Sequence, residues 1–403
     1  MKRILFICID GLTDPLGQSQ IIPYFKGLRA LGHEVTLLSA EKPNNLEQNG
    51  SAIKQLLIDA QLKWEFIHYR IHPPLISSYL NYVALKRKAI QLMQKENYDV
   101  VHCRSILPAM IGHVLKLKFG SKLIFDMRGF WADERVDGKL WNLKNPIYNN
   151  LYLFFKKKER QLFEQSDYII SLTESGKEYI SEHFSTKENF QVIPCAANLN
   201  HFDPNSFSRD ELDNLKESLN INKEAYLLTY IGSLGTRYRL KDMLRFFQLL
   251  QQKVSNSKFL FVTKSEQSQI LNACEELHLS KEEIIITSSS YQEIPKYIAL
   301  ADASIFFIVT SFSGKAVSPT KQAEVMGMGL PIVANAGLGD TDRILKESDT
   351  GVLIEGYDEA SLKLAADKLL SFNKNQKEVR QEAIKRFALD HAINKYAEVY
   401  QKL

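Results

Sequence analysis

Six consecutive apolar residues, Ile4 to Ile9, open the chain and are closed by Asp10 and Gly11. So short and continuous a run reads as a strand covered on both faces, the form strands take inside a parallel sheet. A loop holding Gly11 and Gly17 follows. Then Ile21, Phe25, Leu28 and Leu31 fall at intervals of four, three and three, one face of a helix, with Pro23 tolerable in its first turn. Gly32 ends that helix and residues 33–38 return as a strand. The rhythm recurs at 98–101, 122–125 and 168–172, and in the second half at 226–231, 258–262, 284–287, 303–309, 331–334 and 351–354. Further helices are expected near 359–370 and near 376–401. Strands alternating with helices predict an α/β protein with two doubly wound, Rossmann-like domains and a cleft between them.

Residues 192–204 carry Pro194 and Pro204 and show no period, and 205–223 is polar and charged. The expected division is therefore 1–200 for the first domain, 201–225 for a linker and 226–385 for the second domain. Residues 386–403 are expected as a helix packing back toward the first. A chain of 403 residues has room for two full cores. Its 45% apolar and 24% charged content excludes a disordered, collagenous or disulfide-framework protein. With 51 basic against 47 acidic residues, the net charge of +4 does not make a nucleic-acid binder. The four cysteines, Cys8, Cys103, Cys195 and Cys274, have no metal-ligand spacing and read as reduced thiols of a cytoplasmic protein. No run reaches the ~18 apolar residues of a membrane span. The chain is thus expected to be soluble, at most peripheral at a membrane's inner face.

In open parallel sheets ligands sit beyond the carboxyl ends of the strands, so residues just after strands carry most weight. Ser318 is read there as a helix N-cap and Pro319 as the first helical residue, followed by Thr320, Lys321 and Glu324. A lysine in a first helical turn is locally unfavourable, and a bound phosphate at the helix start would explain it. A second junction, Gly232 to Lys241, combines flexible glycines with Ser233, Arg237, Arg239 and Lys241, and Lys264 stands at another strand end. Together these suit a diphosphate, whereas each cation singly reads as a solvated surface group. Asp340 and Asp342 have the spacing of a metal and diphosphate pair, but helix capping explains them more simply, and no metal is expected. In the first half, Asp126 to Arg135 is dense in charge and aromatic rings. It reads as a loop lining the cleft or as a salt-bridged cover. His102, at a strand end, is either a base or a hydrogen-bonded structural residue. Residues 149–160 mix Leu151, Leu153, Phe154 and Phe155 with Lys156, Lys157, Lys158 and Arg160. Such a helix permits weak contact with an anionic membrane surface, or packs in the core with a solvated basic face.

These residues resemble the GT-B glycosyltransferases, specifically glycosyltransferase family 4, over nearly the whole chain. The likeness rests on Asp14 to Gln20 with Gly32 to Val35, on Tyr230 to Gly235, and above all on Ser318 to Glu324 followed by Gly329 to Ala334. The resemblance implies a retaining, metal-independent transfer of a sugar from a nucleotide-diphosphate donor, without a cofactor. The acceptor would be a glycan or lipid-linked glycan of the cell envelope. It implies that Glu324 grips the donor ribose and that Ser318, Pro319, Thr320 and Lys321 line the diphosphate or sugar. Ser233, Arg237, Lys241 and Lys264 would add diphosphate contacts, with Gly17 near the phosphates. Lys321, Arg237, Lys241 and Arg128 are the expected catalytic residues, and His102, Asp126 and Asp133 the acceptor-side ones. Two departures stand out. The family often has a second glutamate eight residues before the ribose glutamate, where this chain has Ala316. Many members also carry a histidine where this chain has Arg128. Two other classes fit the same scaffold: a sugar-nucleotide epimerase and a non-catalytic nucleotide-sugar-binding subunit of a glycan assembly complex.

Overall fold

The computed structural model describes residues 1–73, 75–186 and 189–403. The chain forms two compact units, Met1–Ala196 with Leu389–Leu403 and Ala197–Ala388. In the first unit the strands are β1 (Arg3–Ile7), β2 (Glu34–Glu41), β3 (Lys63–His68), β4 (Val100–Arg104), β5 (Lys122–Asp126), β6 (Tyr168–Ser171) and β7 (Phe190–Val192). They pair in the order β3-β2-β1-β4-β5-β6-β7, all parallel. The second unit holds β8 (Tyr226–Ile231), β9 (Ser257–Val262), β10 (Ile284–Thr287), β11 (Ala303–Phe306), β12 (Ile332–Asn335) and β13 (Gly351–Ile354). Their order is β10-β9-β8-β11-β12-β13, again all parallel. Both sheets reverse direction of travel at one place, between β1 and β4 and between β8 and β11. Loops leave in opposite directions at such a switch point and open a crevice for a ligand.

Burial explains which strands the sequence reveals. Ile4 to Ile7 are all buried, so β1 has no polar face. The edge strand β3 is only half-buried and interleaves Lys63 and Glu65 with Trp64 and Phe66, whose rings lie 5.0 Å apart; it has no apolar run to read. The three-residue β7 is too short to show a period. The strand expected at 98–101 lies further on, because Asp99 stays outside it and accepts the Arg3 N–H at 2.7 Å. His102 is consequently in the middle of β4 and not at its end.

Three connections also differ from expectation. Pro15–Gln20 is a helix, not a loop, and Ile21, at φ −127° and ψ −64°, separates it from the helix Ile22–Ala30. Residues 201–225 are not a free linker but part of the second unit. Phe202, Ile221 and Ala225 are buried, and the helix Arg209–Ser218 is closed by a capping box between Ser208 and Glu211. That helix has no buried residue, which is why its composition reads as solvated. Arg380 fastens the start of this unit by donating to the carbonyls of Leu199, at 2.8 Å, Phe202 and Gly327. Finally, the stretch near 376–401 is two helices, Gln376–Phe387 and Leu389–Lys402. The chain passes between units at the break, Ala388, and the last helix packs on Ile22–Ala30.

Candidate active site

In the second unit the chemistry gathers where β8 and β11 part. After β8 the chain turns at Gly232, whose φ of 106° suits a residue without a side chain. The loop that follows the turn runs back beside residues 307–309 through a single antiparallel bridge between Tyr238 and Ile308: the Arg239 N–H donates to the Phe307 carbonyl at 2.9 Å and the Val309 N–H to the Arg237 carbonyl at 2.7 Å. Arg237 donates to the Ser313 hydroxyl at 3.2 Å, inside the short turn Phe312–Ala316. The helix Thr320–Gly327 begins beside this junction. A Cβ on Gly232 would lie 3.6 Å from the Lys321 ammonium.

Lys321 is the least settled side chain of the group. Its stem is half-buried, but its ammonium is buried and has no hydrogen-bond partner. It rests on the rings of Tyr230 at 4.0 Å and Tyr238 at 4.3 Å. Desolvated cation–π contact is worth about 2 kcal/mol. Burying an unpaired ammonium costs several kcal/mol, and the helix start adds to the cost because no acidic residue occupies the first turn. The rings therefore offset only part of the expense. Burial pushes the Lys321 pKa down, with Tyr238 and Glu324 opposing. One turn on, burial pushes the Glu324 carboxyl up to about 7, and Lys321 opposes it. A cation without a hydrogen-bond partner and a carboxyl raised by burial thus share one helix turn at a sheet crevice.

The other expected residues separate into two sets. Ser318 is not the helix cap: the helix starts at Thr320 with Pro319 at the cap position, and no side chain caps it. Pro319 lacks an N–H and sets the chain's entry, so the reading of the cap moves by one residue. Ser233 is exposed in the turn, and its carbonyl accepts the Tyr230 hydroxyl at 2.8 Å. Lys264 is exposed beyond the end of β9. Arg239 and Lys241 point to other partners: Arg239 pairs with Asp242 at 2.6 Å over the Tyr357 ring, and Lys241 pairs with Glu276. Asp342 accepts the Gly337 N–H at 2.9 Å, Asp340 pairs with Arg343 at 3.3 Å, and among the described residues no cluster of acids, His or Cys could hold a metal.

In the first unit a buried polar network lies behind the ends of β4 and β5. Arg128, at φ 58°, points back to within 3.8 Å of Asp126 and donates to Cys195 Sγ at 3.2 Å, while its Nε has no partner. Burial pushes the Asp126 carboxyl up, but Arg128 and His102 outweigh it and hold the carboxyl below its usual range. The Tyr396 hydroxyl donates to Asp126 at 3.1 Å, and the Tyr400 hydroxyl lies 2.6 Å from His102 Nδ1. His102 is buried and its pKa is lowered by that burial; its Nε2 lies 3.5 Å from Asp126 without a hydrogen bond. Asp133 lies in a separate cluster, accepting the Tyr152 hydroxyl at 2.9 Å and the Lys156 ammonium at 2.8 Å. Gly17 is held against backbone, since a Cβ there would lie 2.2 Å from the Gly11 carbonyl oxygen.

Residues 24–201 match the model of Glycosyltransferase Family 4 and residues 212–386 that of Glycosyl transferases group 1, between them most of the chain. The chain is a GT-B group 1 glycosyltransferase. Among its relatives is N-acetyl-alpha-D-glucosaminyl L-malate synthase of Bacillus anthracis, 21% identical over 79% of this chain and 78% of the relative. Another is UDP-Gal:alpha-D-GlcNAc-diphosphoundecaprenol alpha-1,3-galactosyltransferase of Escherichia coli, 24% identical over 77% of each. Among solved structures, Anabaena HepE in complex with UDP and glucose superposes with a TM-score of 0.72 at 15% identity, covering 100% of both chains.

Two features of this glycosyltransferase had no sequence signal. Tyr230 and Tyr238, the rings beneath Lys321, belong to a strand and a loop and share no spacing with it. Glu41, at the end of β2, is fully buried and organises the loop before Gly17. It accepts the N–H groups of Leu12 at 2.7 Å and Thr13 at 3.1 Å, and the hydroxyls of Thr13 and Ser39, both at 2.5 Å. Glu41→Ala deprives these buried donors of their acceptor. We expect it to lower unfolding stability by about 3 kcal/mol, read as a lower urea midpoint at unchanged slope.

Proposed function

We propose that this glycosyltransferase transfers a sugar from a nucleotide-diphosphate donor to a glycan or lipid-linked glycan of the cell envelope, with retention at the anomeric carbon and without a metal. The observation that carries the reading is the partnerless Lys321 ammonium beside the Gly232 turn. In this reading the diphosphate draws Lys321 off its two rings and also meets Arg237, while Glu324 accepts the ribose hydroxyls. Lys264, Ser233, Ser318 and Thr320 form the rim of the donor half, and Lys241, paired with Glu276, is not part of it. Arg128 with Asp126 forms the acceptor half, His102 supports it from within the fold, and Asp133, held by Tyr152 and Lys156, stays apart from it. The bond from the anomeric carbon to the phosphate oxygen breaks as the bond to the acceptor oxygen forms, through an oxocarbenium-like state. The acceptor's proton passes to a phosphate oxygen of the departing nucleotide, whose growing charge Lys321 and Arg237 stabilise. The sugar contacts differ from those of members with the second glutamate, since Ala316 is buried and offers no polar group. The printed names of the relatives support a glycan acceptor, and that of the Escherichia coli enzyme a diphosphoundecaprenol-linked one.

The test is nucleotide release from a panel of nucleotide sugars, with and without polyprenol-diphosphate-linked acceptors, in the presence of a chelator, followed by NMR of the product's anomeric linkage. Acceptor-dependent release with retained configuration supports the proposal. An isomerised nucleotide sugar without acceptor would make the protein an epimerase. Donor binding without release across the panel would make it a binding subunit. Loss of activity with the chelator would overturn metal independence. The function expected is cytoplasmic, peripheral at the membrane's inner face; no helix among the described residues is long and apolar enough to cross a membrane.

A further inference from the structure

We propose that Asp10, at the carboxyl edge of the first sheet, holds a hydroxyl of the acceptor, so that the acceptor presents a neutral sugar there and not a phosphate or carboxylate. The inference rests on the transferase reading above and names the acceptor chemistry of its first unit. Three strands, β1, β4 and β5, deliver charged side chains to this edge. Those of β4 and β5 are turned inward: the side chains of Arg104, Asp126 and Arg128 are 7%, 2% and 10% exposed. A ligand arriving from solvent does not meet them first. Asp10, three residues past the end of β1, is 33% exposed. It stands at the reversal between β1 and β4, where an open parallel sheet admits a ligand.

The carboxylate is held in place by the fold itself. Arg104 Nε donates to Asp10 Oδ2 at 3.3 Å, and among the described residues Oδ1 has no hydrogen bond. The chain after it is pinned, since Glu41 accepts the N–H groups of Leu12 and Thr13, and Lys42 pairs with Asp14 at 2.7 Å. Even Gly11 is fitted to this anchor, because a Cβ there would lie 2.8 Å from Glu41 Oε2. A preorganised carboxylate with one oxygen unused accepts hydrogen bonds and donates none. A sugar hydroxyl supplies the donor, and the two lone pairs of Oδ1 suit neighbouring hydroxyls of one ring. A phosphate or carboxylate would bring like charge against Asp10. The cations that could offset it are engaged, Arg104 by Asp10 itself and Arg128 beside Asp126. The acceptor's proton still passes to the departing phosphate; Asp10 binds and orients.

The experiment measures nucleotide release by the full chain, from the nucleotide sugars of the panel above, with three acceptors. These are a polyprenol-diphosphate-linked monosaccharide, the methyl glycoside of the same sugar, and the unsubstituted polyprenol phosphate. The expected result is stimulation by the sugar-bearing acceptors and none by the bare phosphate. Stimulation by the first alone means a lipid-linked sugar, by the first two any glycan end, and either supports the proposal. Asp10→Asn leaves Arg104 an acceptor but removes the charge. It should raise the KM of the acceptor about 10–100-fold, more than it lowers kcat, with the donor Kd unchanged. Monodeoxy forms of the acceptor sugar that still react give a check independent of folding. One of them should show a raised KM with wild type, and that deficit should shrink in Asp10→Asn. An Asp10→Asn chain with the wild-type KM, equal deficits in the two proteins, or stimulation by polyprenol phosphate alone overturns the proposal while transfer itself stands. Release that no acceptor stimulates overturns the transferase reading, and this inference with it.

Discussion

Lys321→Ala lowers kcat about 10²–10³-fold and leaves the thermal unfolding midpoint of the ligand-free protein unchanged or higher. The two halves of this expectation have different causes. Turnover falls because the departing diphosphate loses the cation that its new charge would meet, and an interaction made mainly in the transition state is removed. Stability holds because the ammonium is buried without a hydrogen bond, over two tyrosine rings and at the unfavourable end of a helix. Most buried lysines are paired, and cutting such a pair is costly. Here no hydrogen-bonded pair is cut, only the longer-range attraction to Glu324. A steady-state assay and a thermal melt on the same preparation check both halves. Near wild-type turnover removes Lys321 from the chemistry, and a large drop in midpoint means that the ammonium is stabilising after all.

Glu324→Gln weakens donor binding about 10–100-fold, as expected for a charged hydrogen-bond acceptor replaced by a neutral one. It also changes how stability depends on pH. The carboxyl is pushed by burial from its usual 4.5 up to about 7 in the folded protein. Its folded pKa therefore lies above its unfolded one. Relative to glutamine, the stability it supports is complete below pH 4.5 and is lost as the pH rises through 7. Melting curves at pH 5 and pH 8 should show the Glu324→Gln protein gaining on wild type at the alkaline end. Saturating nucleotide should cancel that gain, because ribose hydroxyls satisfy the ionised carboxylate. Parallel curves for the two proteins across this range would mean that the carboxyl titrates as though exposed.

The sequence shows the buried parallel strands clearly, since a strand covered on both faces leaves an unbroken apolar run. It hides β3, β7 and the helix Arg209–Ser218, each of which lies at an edge or on the surface and keeps the polar composition of a loop. The junction around Lys321 was legible to the extent that it is local: the Gly232 turn and the Lys321 helix are short motifs placed after strands. What could not be read was which cations stay available. Arg237, Arg239 and Lys241 are equivalent in the sequence, and only their neighbours Ser313, Asp242 and Glu276 distinguish them. The first half is less legible for the same reason. The partners of Asp126 and His102 are Tyr396 and Tyr400, some 270 and 298 positions further along the chain.

Those two tyrosines lie on a helix that returns to the first unit after the second is complete. The order of synthesis is thus not the order of completion. The second unit is one continuous segment and has all its residues as soon as Ala388 emerges, whereas the first, although begun earlier, must wait with an uncovered flank until Leu389–Lys402 follows. A nascent chain of this protein finishes its later half first.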